Sequence, residues 1–165
     1  MNISTANQGT ERDRDFNIRE IRLFNTTDGF LPLDESNLQE CVDCIETFED
    51  VEFAMVEAVF VDETEIRRIN REYLDHDYVT DIITFPYHNA AEDLPSLEGT
   101  LYCCRDRVVE QAKQHREEQQ IECCRIIIHG LLHLAGYSDE SETKKQRMTD
   151  RENFYLSKLG FSTEQ

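Results

Sequence analysis

His129 and His133 stand one helical turn apart in the run Ile126-Ile127-Ile128-His129-Gly130-Leu131-Leu132-His133-Leu134-Ala135-Gly136. At that spacing two imidazoles share a helix face, one stacked above the other. Their neighbours are apolar on nearly every side, so the helix reads as buried. A buried polar ring needs a partner, and Leu131, Leu132, Leu134 and the three isoleucines offer none. Two aligned imidazoles can share a metal ion instead. Gly136 ends the helix, and the chain can then fold back and deliver Asp139 as a third ligand. The expected ligand set is His129, His133 and Asp139, in the pattern His-x3-His-x5-Asp of a metal-dependent hydrolase. A zinc protease of the HExxH type carries a glutamate base directly after its first histidine. Here that position is Gly130, so the helix supplies ligands and no base. Three protein ligands and an open position suit one divalent ion that activates water. Zn2+ is the first expectation. Two imidazoles and a carboxylate also suit Fe2+, and Ni2+ or Mn2+ stay open.

The elements that must position these residues can be read along the chain. Residues 1–16 are polar and aperiodic and read as a flexible leader, which leaves 17–165 as a single domain. Strands are expected over 18–24, 51–61, 81–85 and 99–104, the third stopped by Pro86, with a loop over 87–97. Helices are expected from an Asp34 or Ser36 cap to 48, from an Asp62 cap to 73, and over 106–116, 119–135 and 143–159. The fold class is α+β: a small mixed sheet of about four strands covered by helices, with the histidine helix packed centrally.

The 17 basic and 35 acidic residues give a net charge of −18, which argues against non-specific coating of nucleic acid or anionic membrane. No segment approaches the roughly 20 apolar residues of a membrane span, and no N-terminal apolar run of signal-peptide type is present. The expected location is cytoplasmic. Cys41 and Cys44 form one CxxC pair, and Cys103-Cys104 and Cys123-Cys124 are vicinal. A single CxxC is short of a zinc ribbon. All six read as reduced, buried thiols of a cytosolic protein.

His129-Gly130-Leu131-Leu132-His133-Leu134-Ala135-Gly136-Tyr137 resembles the signature H-G-x-L-H-L-x-G-Y-D-H of the YbeY family of metal-dependent endoribonucleases, the bacterial rRNA maturation factors. The segment Asn70 to Pro86 is similar to that family's N-x-x-Y-R-x-x-D-x-P-T-D-V-L-S-F-P, and Leu97 to Cys103 to its L-G-D-I-x-I-S strand. Glu122, Arg125, Met148 and Glu152 fit as well, so the likeness runs over roughly residues 20–160. It implies a single-strand-specific endoribonuclease that matures the 3′ end of 16S rRNA and acts in ribosome assembly. The implied partners are rRNA and the small ribosomal subunit, with a ribosomal protein or a GTPase as candidates, and neither DNA nor membrane. Three positions depart from the pattern. Asp139 replaces a third histidine, which should lower Lewis acidity. Leu74 replaces an arginine thought to engage the RNA backbone, a role that Arg71 on the same helix could take up. Thr100 replaces a carboxylate. The catalytic set read here is His129, Arg71 and Asp81, Asp81 with a structural role preferred.

Two other readings compete. A metalloprotease-like hydrolase would use the same helix, but lacks the base at 130. A non-catalytic ribosome assembly factor would use the metal only to hold the turn after the histidines. Basic clusters occur at Arg67, Arg68 and Arg71, at Arg105, Arg107 and Lys113, and at Lys144, Lys145 and Arg147. The Arg67–Arg71 helix is the first choice to guide RNA, because it leads into the Thr80 segment.

Overall fold

A computed structural model describes residues 19–87 and 96–162. The 1–16 leader and most of the expected 87–97 loop lie outside these residues. The described chain runs β1 (Glu20–Asn25), α1 (Glu35–Phe48), β2 (Phe53–Val61), α2 (Glu63–Leu74), β3 (Ile82–Pro86), β4 (Leu97–Cys104), α3 (Arg105–His115), α4 (Gln119–Leu134) and α5 (Glu142–Lys158). The expected α+β architecture is what forms. The four strands make one mixed sheet in the order β1-β2-β4-β3. β1 and β4 both pair parallel with β2, and β3 pairs antiparallel with β4.

Local chemistry starts the helices where the sequence suggests. Of the two candidates for the first cap, Asp34 serves: its Oδ1 accepts from the Asn37 N–H at 3.0 Å, and the Asn37 Oδ1 accepts from the Asp34 N–H at 2.9 Å. Asp62 accepts from the Glu65 N–H at 2.8 Å to open α2. Each such cap is worth about 1 kcal/mol. Two starts fall a residue earlier than expected, at Arg105 for α3 and Glu142 for α5. In α5 the cap is Ser141, which accepts from the Lys144 N–H.

α4 is the central element. Cys123, Cys124, Ile126, Ile127, Ile128, Leu131, Leu132 and Leu134 are all buried in the main core. The helix packs against α1, α3 and α5 and against the β3 and β4 side of the sheet. Gly130 permits that approach. A Cβ there would sit 2.8 Å from the Ile82 Cδ1 and the Leu101 Cδ2, inside van der Waals contact. The residue that separates this chain from the HExxH pattern is therefore a packing glycine facing the sheet. A second, smaller core of Val61, Ile66, Ile69, Ile83 and Cys104 lies beneath α2. The six cysteines are free thiols, all buried except the half-buried Cys44, as the composition suggested. A hydrogen bond with Cys124 on α4, together with burial, pushes the Cys41 thiol on α1 well up.

Candidate metal centre

The structure brings His129, His133 and Asp139 together. The two Nε2 atoms face each other at 3.0 Å. The Asp139 Oδ2 lies 3.6 Å from the His129 Nε2 and 3.5 Å from the His133 Nε2. Gly136 makes this possible. With φ 101 it turns the chain left-handed at the end of α4, while the Tyr137 N–H bonds back to the Leu132 carbonyl at 2.9 Å. That closing turn sends Ser138 and Asp139 back over the histidine face.

The opposite ring nitrogens are committed. The His133 Nδ1 lies 3.0 Å from the Tyr137 carbonyl oxygen. A carbonyl only accepts, so Nδ1 carries the proton and Nε2 is left with a lone pair. The His129 Nδ1 lies 2.7 Å from the Glu152 Oε1, a buried carboxylate from α5. Two imidazole lone pairs and a carboxylate oxygen thus converge on one point. Such a set repels itself unless a positive charge joins it, and a divalent ion fits the donor types. A proton is the weaker substitute. Burial opposes charge on His129, but the Glu152 hydrogen bond and the negative charges of Glu152, Asp81 and Asp139 outweigh it, so its pKa stands above the ordinary imidazole value.

The site opens into a cleft of about 460 Å³ lined by Asn70, Leu74, His76, Tyr78, Thr80, Asp81, Ile82, Ile83, Thr84 and Pro86 together with the three candidate ligands. That volume suits a small ligand or one unit of a polymer. Thr80 and Asp81 border it. The Asp81 Oδ2 accepts from the Gln111 side chain at 3.1 Å, which anchors the carboxylate to α3. Arg71 sits on the exposed last turn of α2 and is not brought to the cleft wall. Its neighbours Arg67 and Arg68 are spent on ion pairs, with Asp77 at 2.8 Å and with Glu65 and Glu72. The helix favoured for guiding RNA therefore offers little unpaired charge. The departure at Thr100 is remote from the histidines: its hydroxyl meets Tyr87 at 2.5 Å and Glu57 at 3.5 Å, on the opposite sheet face from Leu101. A second grouping, His115, Glu117 and Glu122, is already engaged by Arg125, whose Nη2 lies 2.9 Å from the Glu117 Oε1 and whose Nε lies 3.5 Å from the Glu122 Oε2.

The sequence offered no role for Glu152, the Tyr137 carbonyl or Glu49. Glu152 had a signal: it shares the buried face of α5 with Met148, Tyr155 and Leu156, an acid in an apolar stripe. Glu49 had none. Its Oε1 accepts from Tyr137, Tyr155 and Arg151 at 2.9, 2.7 and 2.7 Å, contacts that only the folded chain creates.

The family described as Endoribonuclease YbeY matches residues 26–160. The chain belongs to the YbeY family. A YbeY endoribonuclease of Chlorobium luteolum is 37% identical over 140 residues, covering 85% of this chain and 98% of that one. One from Chlorobium phaeovibrioides is 39% identical over 140 residues, covering 85% and 90%. Among solved structures, a Thermotoga maritima protein determined in solution superposes with a TM-score of 0.51 at 26% identity, covering 84% of this chain and 90% of its own. The matched span of the YbeY family holds all three converging side chains and the whole cleft wall. No helix among the described residues is long and apolar enough to cross a membrane.

Proposed function

We propose that this chain is a metal-dependent endoribonuclease that cleaves single-stranded RNA, and that it acts on the 3′ end of 16S rRNA during assembly of the small ribosomal subunit in the cytoplasm. The observation that carries the reading is the convergence of the His129 and His133 lone pairs with the Asp139 carboxylate at the floor of an open cleft. Membership of a family whose relatives are named endoribonucleases supports RNA as the substrate. Zn2+ is the first choice of ion, with Fe2+, Ni2+ and Mn2+ as tests. A divalent ion bound there would supply Lewis acidity, activating water and neutralising charge on the phosphoryl oxygen.

The residues of the chain do the rest. Glu152 and the Tyr137 carbonyl fix the ring tautomers so that both Nε2 atoms stay available. Asp81, tied by Gln111, is a positioning carboxylate whose charge is felt at His129. Arg71 is proposed to meet an RNA phosphate outside the cleft mouth. The protease reading is not carried forward, because position 130 is a glycine packed towards the sheet and supplies no glutamate base. The assembly-factor reading keeps one observation in its favour: His133 and Asp139 bracket the turn after α4, which an ion would hold closed.

Cleavage of a short single-stranded RNA by metal-loaded wild type, chelated wild type and His133→Ala separates the two. The endoribonuclease reading expects the last two to lose at least about 100-fold in rate, the equivalent of a few kcal/mol of lost transition-state stabilisation. Undiminished cleavage by folded His133→Ala would refute it.

A further inference from the structure

The connection from α2 to β3 carries two exposed rings that the proposed chemistry does not use. His76 and Tyr78 are stacked, with centroids 5.4 Å apart and planes 18° from parallel, and the Tyr78 hydroxyl lies 3.3 Å from the His76 Nδ1. Tyr78 is 54% exposed and Leu74 beside it 44%. All three line the same cleft as His129, His133 and Asp139. One exposed aromatic ring is unremarked on any surface. A stacked pair on the wall of a reaction cleft is a different matter when its backbone is held still.

The backbone here is held from four sides. Asp75 takes the left-handed conformation, φ 56, and ends α2. The His76 N–H bonds the Asn70 carbonyl at 3.2 Å. The side chain of Asn70, 1% exposed, donates to the Tyr78 carbonyl at 3.0 Å. Arg67 clamps Asp77 at 2.8 Å. A ligand meeting these rings would find them already placed, with little further ordering entropy to lose.

The composition of the wall says what kind of ligand. No lysine or arginine is among the described residues that line it, and the chain carries a net charge of −18. Apart from a bound ion, a nucleic acid held in this cleft would therefore draw little on phosphate neutralisation by side chains, the usual source of affinity. Flat aromatic rings offer stacking, which any base can use and which needs the base out of a duplex. We propose that His76 and Tyr78, with Leu74, form a subsite for one unpaired nucleobase of the RNA strand, holding the strand so that its backbone lies over the His129–His133–Asp139 centre. The proposal rests on the endoribonuclease reading and adds the recognition element to it. Preference for single strands then comes from stacking in the cleft rather than from phosphate contacts.

The test is steady-state cleavage of a short fluorescent single-stranded RNA by metal-loaded wild type, Tyr78→Ala, His76→Ala, Tyr78→Phe and, as a control on the edge strand farthest from β3, Phe24→Ala. Loss of a base stack raises KM roughly tenfold or more in the two ring deletions, with kcat changed far less. Tyr78→Phe, which keeps the ring, recovers most of the lost affinity, and Phe24→Ala matches wild type. Wild-type KM values in both Tyr78→Ala and His76→Ala, with wild type active, would overturn the subsite and leave the endoribonuclease reading standing. If wild type cleaves no RNA with any of the four metals, that reading fails by itself. Fluorescence anisotropy of the same RNA then decides the subsite: weaker binding to Tyr78→Ala supports it, and equal binding overturns it.

Discussion

The Nδ1 proton of His133 has one acceptor, the carbonyl of Tyr137, and the Nδ1 proton of His129 has one, the carboxylate of Glu152. These two contacts turn a pair of helical histidines into a pair of aligned lone pairs. Partners of this kind are typically worth 10- to 100-fold in metal affinity. Glu152→Gln should therefore weaken binding of Zn2+ by roughly that factor while the fold persists, measured by competition with a chromogenic chelator. Unchanged affinity would mean that the ring is held by packing alone. The shared helix face of His129 and His133 was legible in the sequence, because helical spacing is a local property. Asp139 was legible too, since Gly136 announced the reversal that brings it back. Arg71 is expected to stand in for the family's arginine at position 74, yet it lies on an exposed face of α2 outside the cleft wall, which Asn70 and Leu74 of the same turn line instead. Whether a side chain enters a cleft depends on how its helix packs, which spacing along the chain does not encode.

At the level of elements, α1 is coupled to the turn that leads to Asp139. Glu49, at the end of α1, accepts from Tyr137 after α4 and from Arg151 and Tyr155 on α5. Burial pushes its carboxyl up, but the hydrogen bonds from Tyr155, Arg151 and Tyr137 outweigh burial and hold it below the ordinary value of 4.5. A carboxyl whose pKa is lower in the folded state stabilises the fold. That contribution is fully present above the unfolded value and is lost as pH falls through the lower folded one. Urea unfolding of metal-free protein from about pH 7 down to about pH 3 should show wild type losing stability more steeply below pH 4.5 than Glu49→Gln. Parallel curves would show that the cluster adds no pH-dependent stability. The helices and strands were readable from capping residues and periodicity, Asp34, Asp62 and the 119–135 run above all. The strand order β1-β2-β4-β3 was not, because each pairing joins residues far apart in sequence. The structural reason for Gly130 was hidden for the same cause: its neighbours, Ile82 and Leu101, belong to β3 and β4.

The whole molecule carries its excess of 18 negative charges into an encounter with a polyanion. Its arginines are largely paired with its own carboxylates, as at Arg67, Arg68, Arg107, Arg125 and Arg151. Raising salt screens the long-range repulsion and removes few protein–phosphate contacts. For free RNA, kcat/KM should hold level or rise between about 50 and 200 mM salt, where a phosphate-binding enzyme would fall steeply. A steep fall would place a cationic RNA track on this surface. Under the proposed function, an acidic chain whose small cleft carries exposed rings suits RNA delivered on an assembling particle, which would supply the local concentration.

The proposed function depends above all on His129, His133 and Asp139 holding one divalent ion together. Elemental analysis of purified wild type beside His133→Ala and Asp139→Ala tests it most directly. Wild type should carry close to one metal per chain, His133→Ala almost none, and Asp139→Ala clearly less. Full metal content in folded His133→Ala would contradict it.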